Sequence, residues 1–497
     1  MYSAALVART LGAALSPMRP SLSGPRLDRG DLLRAALLVL GCALVLASCF
    51  QTRMHGDGPG LVGFGALGTG ESYNHVLFPR ACRLLRELWD GGGPLFWPRS
   101  LVVGGAALAC GSSYLLARGF GAERGAALAA ALLLATAPGC AFYGTTVEIP
   151  ALQAGVVGAA ACVALFAPWR RPALALALVA CTFPWVYFAH QSAALLGAGF
   201  VGLCALGRAR KAPAFAAGSL LFLVGPVLLL GLIAAMASSS WLRGLGFRLS
   251  VQGEVEFIEA FTEASTWSRF LREGFASPLL LALPLAALGV WRWRRSPAPL
   301  ACAGLLLLPS LAFFLWWGVP ERGGYVVGCA PLYAPLVAAG AQGAKPLLLA
   351  LLLALQLAVG ALDIAAHDGR FDPERRARLV GAELSGAGLL LSGHNHAPPI
   401  AIWLPAVREV NLTDEWVAPA AAAGQTPEQF AALVLGFVEQ SAQSGPLVID
   451  LSWQQVDGHR TIERARPYWD AFLERPRAAR SPRIVADTDW PLWVVEP

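Results

Sequence analysis

Apolar runs alternate with short polar turns along the first three quarters of this chain. Runs approaching the ~20 residues that cross a hydrocarbon core lie at Leu32 to Phe50, Leu101 to Ala117, Gly125 to Phe142, Ala151 to Ala167, Ala173 to Phe188 and Ser192 to Leu206. Others follow at Ala214 to Ala237, Leu279 to Val290, Leu300 to Trp317, Gly324 to Ala339 and Pro346 to Leu362. The ladder predicts a mainly α polytopic transmembrane bundle of about eleven spans, with tilt or half-insertion of the shortest shifting the count by one or two. Past Asp363 the period changes. The stretch FDPERRARLVGAELS predicts an amphipathic helix, GLLLSG and VREVNLT predict strands, and TPEQFAALVLGFVEQSAQ a further helix. PLVIDLSW, ARPYWDAFLERP, RIVADT and PLWVVEP continue the alternation, so the tail predicts one small α/β domain.

Composition agrees with a lipid solvent. The chain is 56% hydrophobic and 14% charged, against about 25% charged in an ordinary soluble domain, and its mean hydropathy is +0.55. Its net charge of +6 sits as single or paired basic residues beside apolar runs rather than as a basic stripe with interleaved aromatics. That distribution argues for the lipid bilayer as partner and against nucleic acid.

The same charges predict orientation. Arg26, Arg29 and Arg34 flank the first run, and alternate turns carry Arg118 and Arg124, Arg170 and Arg171, Arg208 to Lys211, Arg292 to Arg295, and Lys345. By the positive-inside rule these turns are cytoplasmic. Gln51 to Pro98, Tyr143 to Pro150, Ser238 to Ser277, Gly318 to Gly323 and everything after Asp363 are then outside. The predicted organisation is a cytoplasmic segment 1–31, a membrane domain 32–363 with a large outer loop 51–98, and an extracytoplasmic α/β domain 364–497. The Ala, Gly and Arg bias points to a GC-rich bacterial genome, and the many spans then place the chain in the inner membrane. Leu46-Ala47-Ser48-Cys49 matches a lipoprotein cleavage box, but the segment before the apolar core exceeds a normal signal n-region. The ten cysteines fall mostly inside apolar runs at no metal or disulfide spacing, as small buried hydrophobes do.

Candidate chemistry gathers on the outer side. The first loop, GFGALGTGESYNHVLFPRACRLLRELWDGGG, holds Glu71 and His75 four residues apart, on one face of a helix that starts near Thr69 or Gly70. Arg80, Arg83 and Arg86 follow at every third residue, as on a helix along the membrane surface with cations toward lipid phosphate. In YGTTVEIPAL, Glu148 precedes a proline suited to a helix's first turn; it is either a substrate-side carboxylate or a partner of the helix dipole. The 238–277 segment mixes charges with Trp and Phe, as in an amphipathic lid, and offers Arg243 or Arg248 to a phosphate. FLWWGVPERGGYVVGCAPLYAPLVAA places Arg322 and Tyr325 at an outer turn, where the guanidinium is either a bidentate phosphate ligand or a snorkelling helix-end cation. His394 and His396 in SGHNHAPP are too close together, and lack the partner ligands, for a convincing metal site. No cofactor is implied, and a divalent metal has no ligand set in the sequence.

The arrangement resembles the GT-C superfamily of membrane glycosyltransferases, including protein O-mannosyltransferases and bacterial lipid-linked-sugar transferases. A first span followed by an outer loop with an acid, here GTGESYNH, is one part of the likeness. PERGGYVVGCAPLYAP is similar to the Arg and Tyr followed by spaced prolines late in that bundle, and the tail looks like the α/β domain of some bacterial members. The resemblance implies transfer of a sugar from a polyprenyl-phosphate donor to an acceptor at the outer face. It places Glu71 as the catalytic acid, where the family more often has Asp. His75, Glu148, Arg322, Tyr325, Arg80 and Arg243 are the substrate-binding candidates. Two other classes fit a many-span chain. A transporter or flippase for a lipid-linked intermediate requires interrupted helices and mid-membrane ionisable groups, whereas an inactive GT-C-like assembly partner requires neither.

Overall fold

The computed structural model describes residues 27–51, 54, 58–67, 76–206, 268, 270–317, 323–367, 371–384, 388–393, 398–443, 445–452, 460–479 and 483–495. The chain divides into two compact units, one of Met1–Phe50 with Gly70–Ala366, the other of Gln51–Thr69 with His367–Pro497. The first part of the 51–98 loop therefore groups with the tail.

In the first unit the helices are α1 (Arg29–Ser48), α2 (Leu77–Leu88), α3 (Phe96–Gly119), α4 (Arg124–Ala135), α5 (Pro138–Thr145), α6 (Ile149–Phe166), α7 (Pro172–Ala189) and α8 (Gly197–Leu206). They continue as α9 (Ala282–Trp293), α10 (Pro297–Trp317), α11 (Gly324–Gly328), α12 (Ala330–Ala341) and α13 (Pro346–His367). Among the described residues four helices are long and apolar enough to cross a membrane, or six if each of two bent pairs counts as one span. The Ala214 to Ala237 run lies outside the described residues. The run from Gly125 to Phe142 is broken before Pro138, where α4 and α5 bend by 60°; proline removes a helix donor and clashes with the preceding turn. The run starting at Leu279 begins at a second break, with an 88° bend between Leu271–Leu279 and α9. Gln356, fully buried on α13, spans both breaks: its Nε2 donates to the Leu133 carbonyl and its Oε1 accepts from the Leu281 N–H at 3.0 Å. One amide thus satisfies backbone groups that two bends release, in an apolar span where an unmet polar group is costly.

Small residues let the central helices touch. A Cβ on Gly105 of α3 would stand 2.5 Å from the Leu152 Cα of α6, and one on Gly155 2.5 Å from the Gly105 carbonyl, the backbone approach that membrane helices use for packing. Ser112 meets Gly158, and Gly119 meets Leu165 and Phe166, so α3 and α6 run parallel. These helices are largely buried, whereas α1 and α13 are peripheral and expose Leu44 at 65% and Leu347 at 72%. Exposed leucine of that extent, on helices of spanning length, is a surface made for lipid.

At the end where α3 finishes, charges are paired. The Asp31 carboxylate, fully buried, accepts from Tyr114 Oη at 2.8 Å and Arg118 Nε at 3.1 Å, with Arg124 Nε at 3.5 Å. Asp28 caps α1 through a reciprocal capping box with Asp31 and pairs with Arg124. Nearby, Phe120 stacks on Trp293, and buried Arg292 donates to the Ala339 and Gln342 carbonyls that close α12. Of the basic residues read as topology signals, Arg118, Arg124 and Arg292 tie helix termini together.

In the second unit, α14 (Gly58–Leu67) precedes, in space, the tail elements α15 (Pro373–Leu384), β1 (Gly388–Ser392), β2 (Val407–Asn411), α16 (Pro427–Ala442), β3 (Leu447–Asp450), α17 (Arg460–Ala479), β4 (Arg483–Val485) and β5 (Leu492–Val495). The glycine-rich approach to Glu71 is thus helical over Gly58–Leu67 rather than part of one continuous loop, and its Gly63 lies against Pro399. The sheet order is β2-β1-β3-β5-β4, parallel across β2, β1 and β3 and antiparallel for β5 and β4. Period-two burial explains it. Leu389 and Leu391 join a core with Phe430, Val434 and Trp469, while Leu390 points to the other face with Val380 and Leu384. Arg376 of α15 is buried between Asp450 at 2.7 Å and Glu409 at 2.8 Å. Burial alone would lower its pKa, but the two carboxylates outweigh that and push it up.

Candidate functional site

The sequence-predicted residues divide by position. Glu71, His75, Arg243 and Arg322 lie outside the described residues, as do His394 and His396. Arg80 is exposed on α2, whose described part starts at Leu77. That helix buries Phe78 and Cys82 and exposes Leu84, Leu88 and Trp89, so it offers apolar side chains and cations together, as a helix lying at a bilayer surface does. Its Arg86 pairs with Asp90 at 2.8 Å.

Glu148 and Tyr325 fall in one region of the first unit, at the end opposite the Asp31 cluster. Parallel α3 and α6 set the separation: from Gly105, level with Leu152, to Arg118 and one turn beyond Leu152 to Glu148 is roughly 25 Å at 1.5 Å per residue. Glu148, 7% exposed, is the N-cap of α6, and its Oε1 accepts the Ile149 N–H at 3.1 Å. Its carboxylate stands at the positive end of the helix dipole. The turn before it is buried too, and Thr145 Oγ1 donates to the Ala141 carbonyl at 2.9 Å, so its hydroxyl completes the end of α5.

Tyr325 is placed by glycines. Gly323, at φ +74°, turns the chain into α11 in a conformation that suits only glycine readily. Gly324 then lies against the Tyr143 hydroxyl and Pro150, where a Cβ would be 3.0 and 3.1 Å away. Gly328 lies against Gln153, whose Oε1 would be 2.5 Å from a Cβ. Three close approaches seat the short α11 on the N-terminal turns of α6.

The structure adds residues that the sequence reading passed over. α7 ends at His190, and Gln191–Leu196 forms a 3₁₀ turn before α8. His190 Nδ1 accepts the Ser192 main-chain N–H at 3.1 Å and lies 2.6 Å from Ser192 Oγ. Gln153 Nε2 donates to that Oγ at 3.5 Å. The His190 ring meets Tyr325 edge-on, with centroids 5.8 Å apart. Gln153, Ser192, His190 and Tyr325 thus form one polar array, drawn from α6, the α7–α8 turn and α11. The signal for it was present: AHQS is a polar break between two apolar runs, on the same side of the ladder as Glu148. Among the described residues no three His, Cys, Asp or Glu side chains converge as a metal site.

No family model and no curated protein matches this chain. Solved structures do. The chain is similar to ArnT from Cupriavidus metallidurans bound to undecaprenyl phosphate, with a TM-score of 0.58 and 15% identity over 92% of this chain and 97% of that one. It is similar to apo ArnT from the same organism with a TM-score of 0.59, at the same identity and coverage. At that identity the likeness is one of fold, and it extends over nearly the whole length of both chains. The chain shares the fold of ArnT.

Proposed function

We propose that this protein is a membrane glycosyltransferase that moves a sugar from a polyprenyl-phosphate donor to an acceptor on the outer face of a bacterial inner membrane. The observation that carries the reading is the near full-length fold likeness to a protein crystallised with undecaprenyl phosphate. The polar end of the first unit supports it, because a buried carboxylate in membrane-embedded protein is retained where it has work to do. In this reading the unit with the spans is the membrane domain, and the sheet-bearing tail is extracytoplasmic.

The reaction needs a base for the acceptor and cations for the leaving phosphate. Glu71 takes the proton of the acceptor hydroxyl, the acceptor oxygen bonds to the sugar's anomeric carbon, and the bond from that carbon to the phosphate oxygen breaks. The carrier departs as polyprenyl phosphate. Arg322, with Arg80 or Arg243, balances its charge, while His75, Glu148 and Tyr325 orient the substrate. Purified full-length protein with a panel of radiolabelled polyprenyl-phosphate sugars and a membrane extract as acceptor tests this. Wild type transfers label, and Glu71→Gln, present in the membrane at wild-type level, does not. Near-normal turnover by that variant would sink the assignment of Glu71.

The two bent helix pairs are what a transporter of the lipid-linked intermediate would also show. Release of free polyprenyl phosphate as product separates the readings, since a transporter moves the intact lipid and cleaves nothing.

A further inference from the structure

We infer that Arg99 holds the phosphate of an anionic bilayer phospholipid at the rim of the helical unit, at the end opposite the Asp31 cluster. The inference goes beyond the transferase reading and needs only a bilayer around the spans.

Arg99 stands where a helix gives a cation least support. It lies in the first turn of α3, at the positive end of the helix dipole, and that turn has no acidic residue and no side-chain cap. Its Nε is buried and makes no hydrogen bond, and among the described residues no carboxylate pairs with its guanidinium. Its partner is the Phe50 ring, 5.5 Å from Cζ. A donor taken out of water with no acceptor is costly. An arginine kept under these conditions points to an acceptor that comes from outside the chain.

The surroundings identify that acceptor. A Cβ on Gly144 would meet both Leu46 of α1 and Ala106 of α3 at 3.3 Å, and one on Gly111 of α3 would meet Val39 of α1 at 2.6 Å. The two helices therefore run antiparallel, and Phe50 comes level with the first turns of α3. Arg99 lies in their seam, and α1 is a peripheral helix that exposes Leu40, Leu44 and Val45, so the open side of the seam meets lipid. In the same turn Phe96 and Trp97 join Trp89 in an edge-on cluster, with ring centroids 4.8 to 5.9 Å apart. Partly exposed aromatic rings at the end of an apolar helix mark the headgroup level, which is where phosphates lie. The Arg99 side chain is half-buried with its Nε inside, so its terminal nitrogens are the part that reaches that level. Their planar fork matches a phosphate bidentately, while the Phe50 face supports the cation from one side. With no described carboxylate beside Arg99 to receive an ammonium, a headgroup of net negative charge fits better than a zwitterionic one.

The test uses the full-length protein in detergent, titrated with phosphatidylglycerol, undecaprenyl phosphate or inorganic phosphate, with the retained lipids counted by native mass spectrometry. Wild type retains one phosphatidylglycerol at a concentration about 10- to 100-fold below that needed by Arg99→Gln, the scale of one hydrogen-bonded charge. Inorganic phosphate does not displace it. Arg99→Lys, which keeps the charge without the fork, falls between the two. Undecaprenyl phosphate binds wild type and Arg99→Gln alike, and both melt at the same temperature in lipid-free detergent. Equal retention of phosphatidylglycerol by wild type and Arg99→Gln overturns the site. So does a fall in lipid-free melting temperature shared by both variants, which would give Arg99 a structural role. A loss confined to undecaprenyl phosphate would assign Arg99 to the carrier, and displacement by inorganic phosphate would make it a free-anion site; either result overturns the phospholipid.

Discussion

The two ends of the helical unit hold polar groups in opposite ways. Around Asp31 the groups are ionic and mutually paired: one buried carboxylate, three arginines and a tyrosine, with Asp28 completing the helix cap. Around Glu148 they are mostly neutral, and their hydrogen bonds run in one direction, from Gln153 through Ser192 to His190. A closed ion cluster has used its bonding capacity on itself. A directed array of neutral groups fixes the orientation of its last member. Two ends of similar polarity thus hold their groups differently, one as an ion cluster that joins helices and the other as a run of neutral hydrogen bonds.

Mutation of the two central carboxylates breaks or sharpens that contrast. Asp31→Ala takes from the half-buried Arg118 the carboxylate it pairs with, while Arg124 keeps Asp28, and removal of one partner from a buried pair costs about 3–5 kcal/mol. The expected result is a large fall in thermal stability in detergent, with undecaprenyl phosphate binding unchanged per folded molecule. A stable Asp31→Ala protein that fails in transfer would place function at the ionic end. Glu148→Gln is the reciprocal case. Gln keeps an oxygen to accept the Ile149 N–H, so stability should change by less than about 1 kcal/mol, the scale of one charge at a helix end. Turnover should fall about 10- to 100-fold, the scale of one hydrogen bond to a charged group, measured as kcat/KM for sugar transfer.

Much of this was written in the sequence, and the gaps have physical causes. Short continuous apolar runs marked Gly388–Ser392 and Leu447–Asp450, since both strands bury residues on each face. The basic turns marked one end of the bundle because charge cannot stay in the apolar layer. Hydropathy has no term for a bend, so the breaks before Pro138 and at Leu280 were folded into continuous runs. Leu280, at φ +42°, carries no signal that composition would register. Gln356 looked like one polar residue in a span, and its purpose needs both breaks to be seen at once. Glu148 and Tyr325 stand out in the sequence because charge and aromatics are conspicuous beside apolar runs. The contacts of His190 do not, because they are a hydrogen bond across two residues and a ring contact across more than a hundred. The Gly63 to Gly65 stretch was read as loop from its glycines, yet it is helical where those glycines let the helix approach Pro399.

A glycine tests whether the array or its surroundings set activity. Gly328→Ala puts a methyl 2.5 Å from Gln153 Oε1, too close to stand, so the amide or α11 must shift. Overpacking of this kind costs about 1–3 kcal/mol. The expected result is a loss of thermal stability that Gln153→Ser, which frees the volume, restores in part, with transfer per folded molecule falling only if the array sets activity.

The smallest effect belongs to a charge pair outside both ends. Arg86 and Asp90 meet at 2.8 Å on α2, with side chains 37% and 63% exposed, and an exposed pair one helical turn apart is worth about 0.3–0.5 kcal/mol. Arg86→Gln should therefore leave thermal stability within 1 °C or so of wild type. If α2 instead works as a cationic surface toward lipid, the same variant will bind vesicles rich in anionic lipid less well, and raising the salt will erase the difference because surface charge is screened within about 10 Å at 0.1 M. A stability loss that salt does not change would show that Arg86 holds the fold rather than a cationic surface toward lipid.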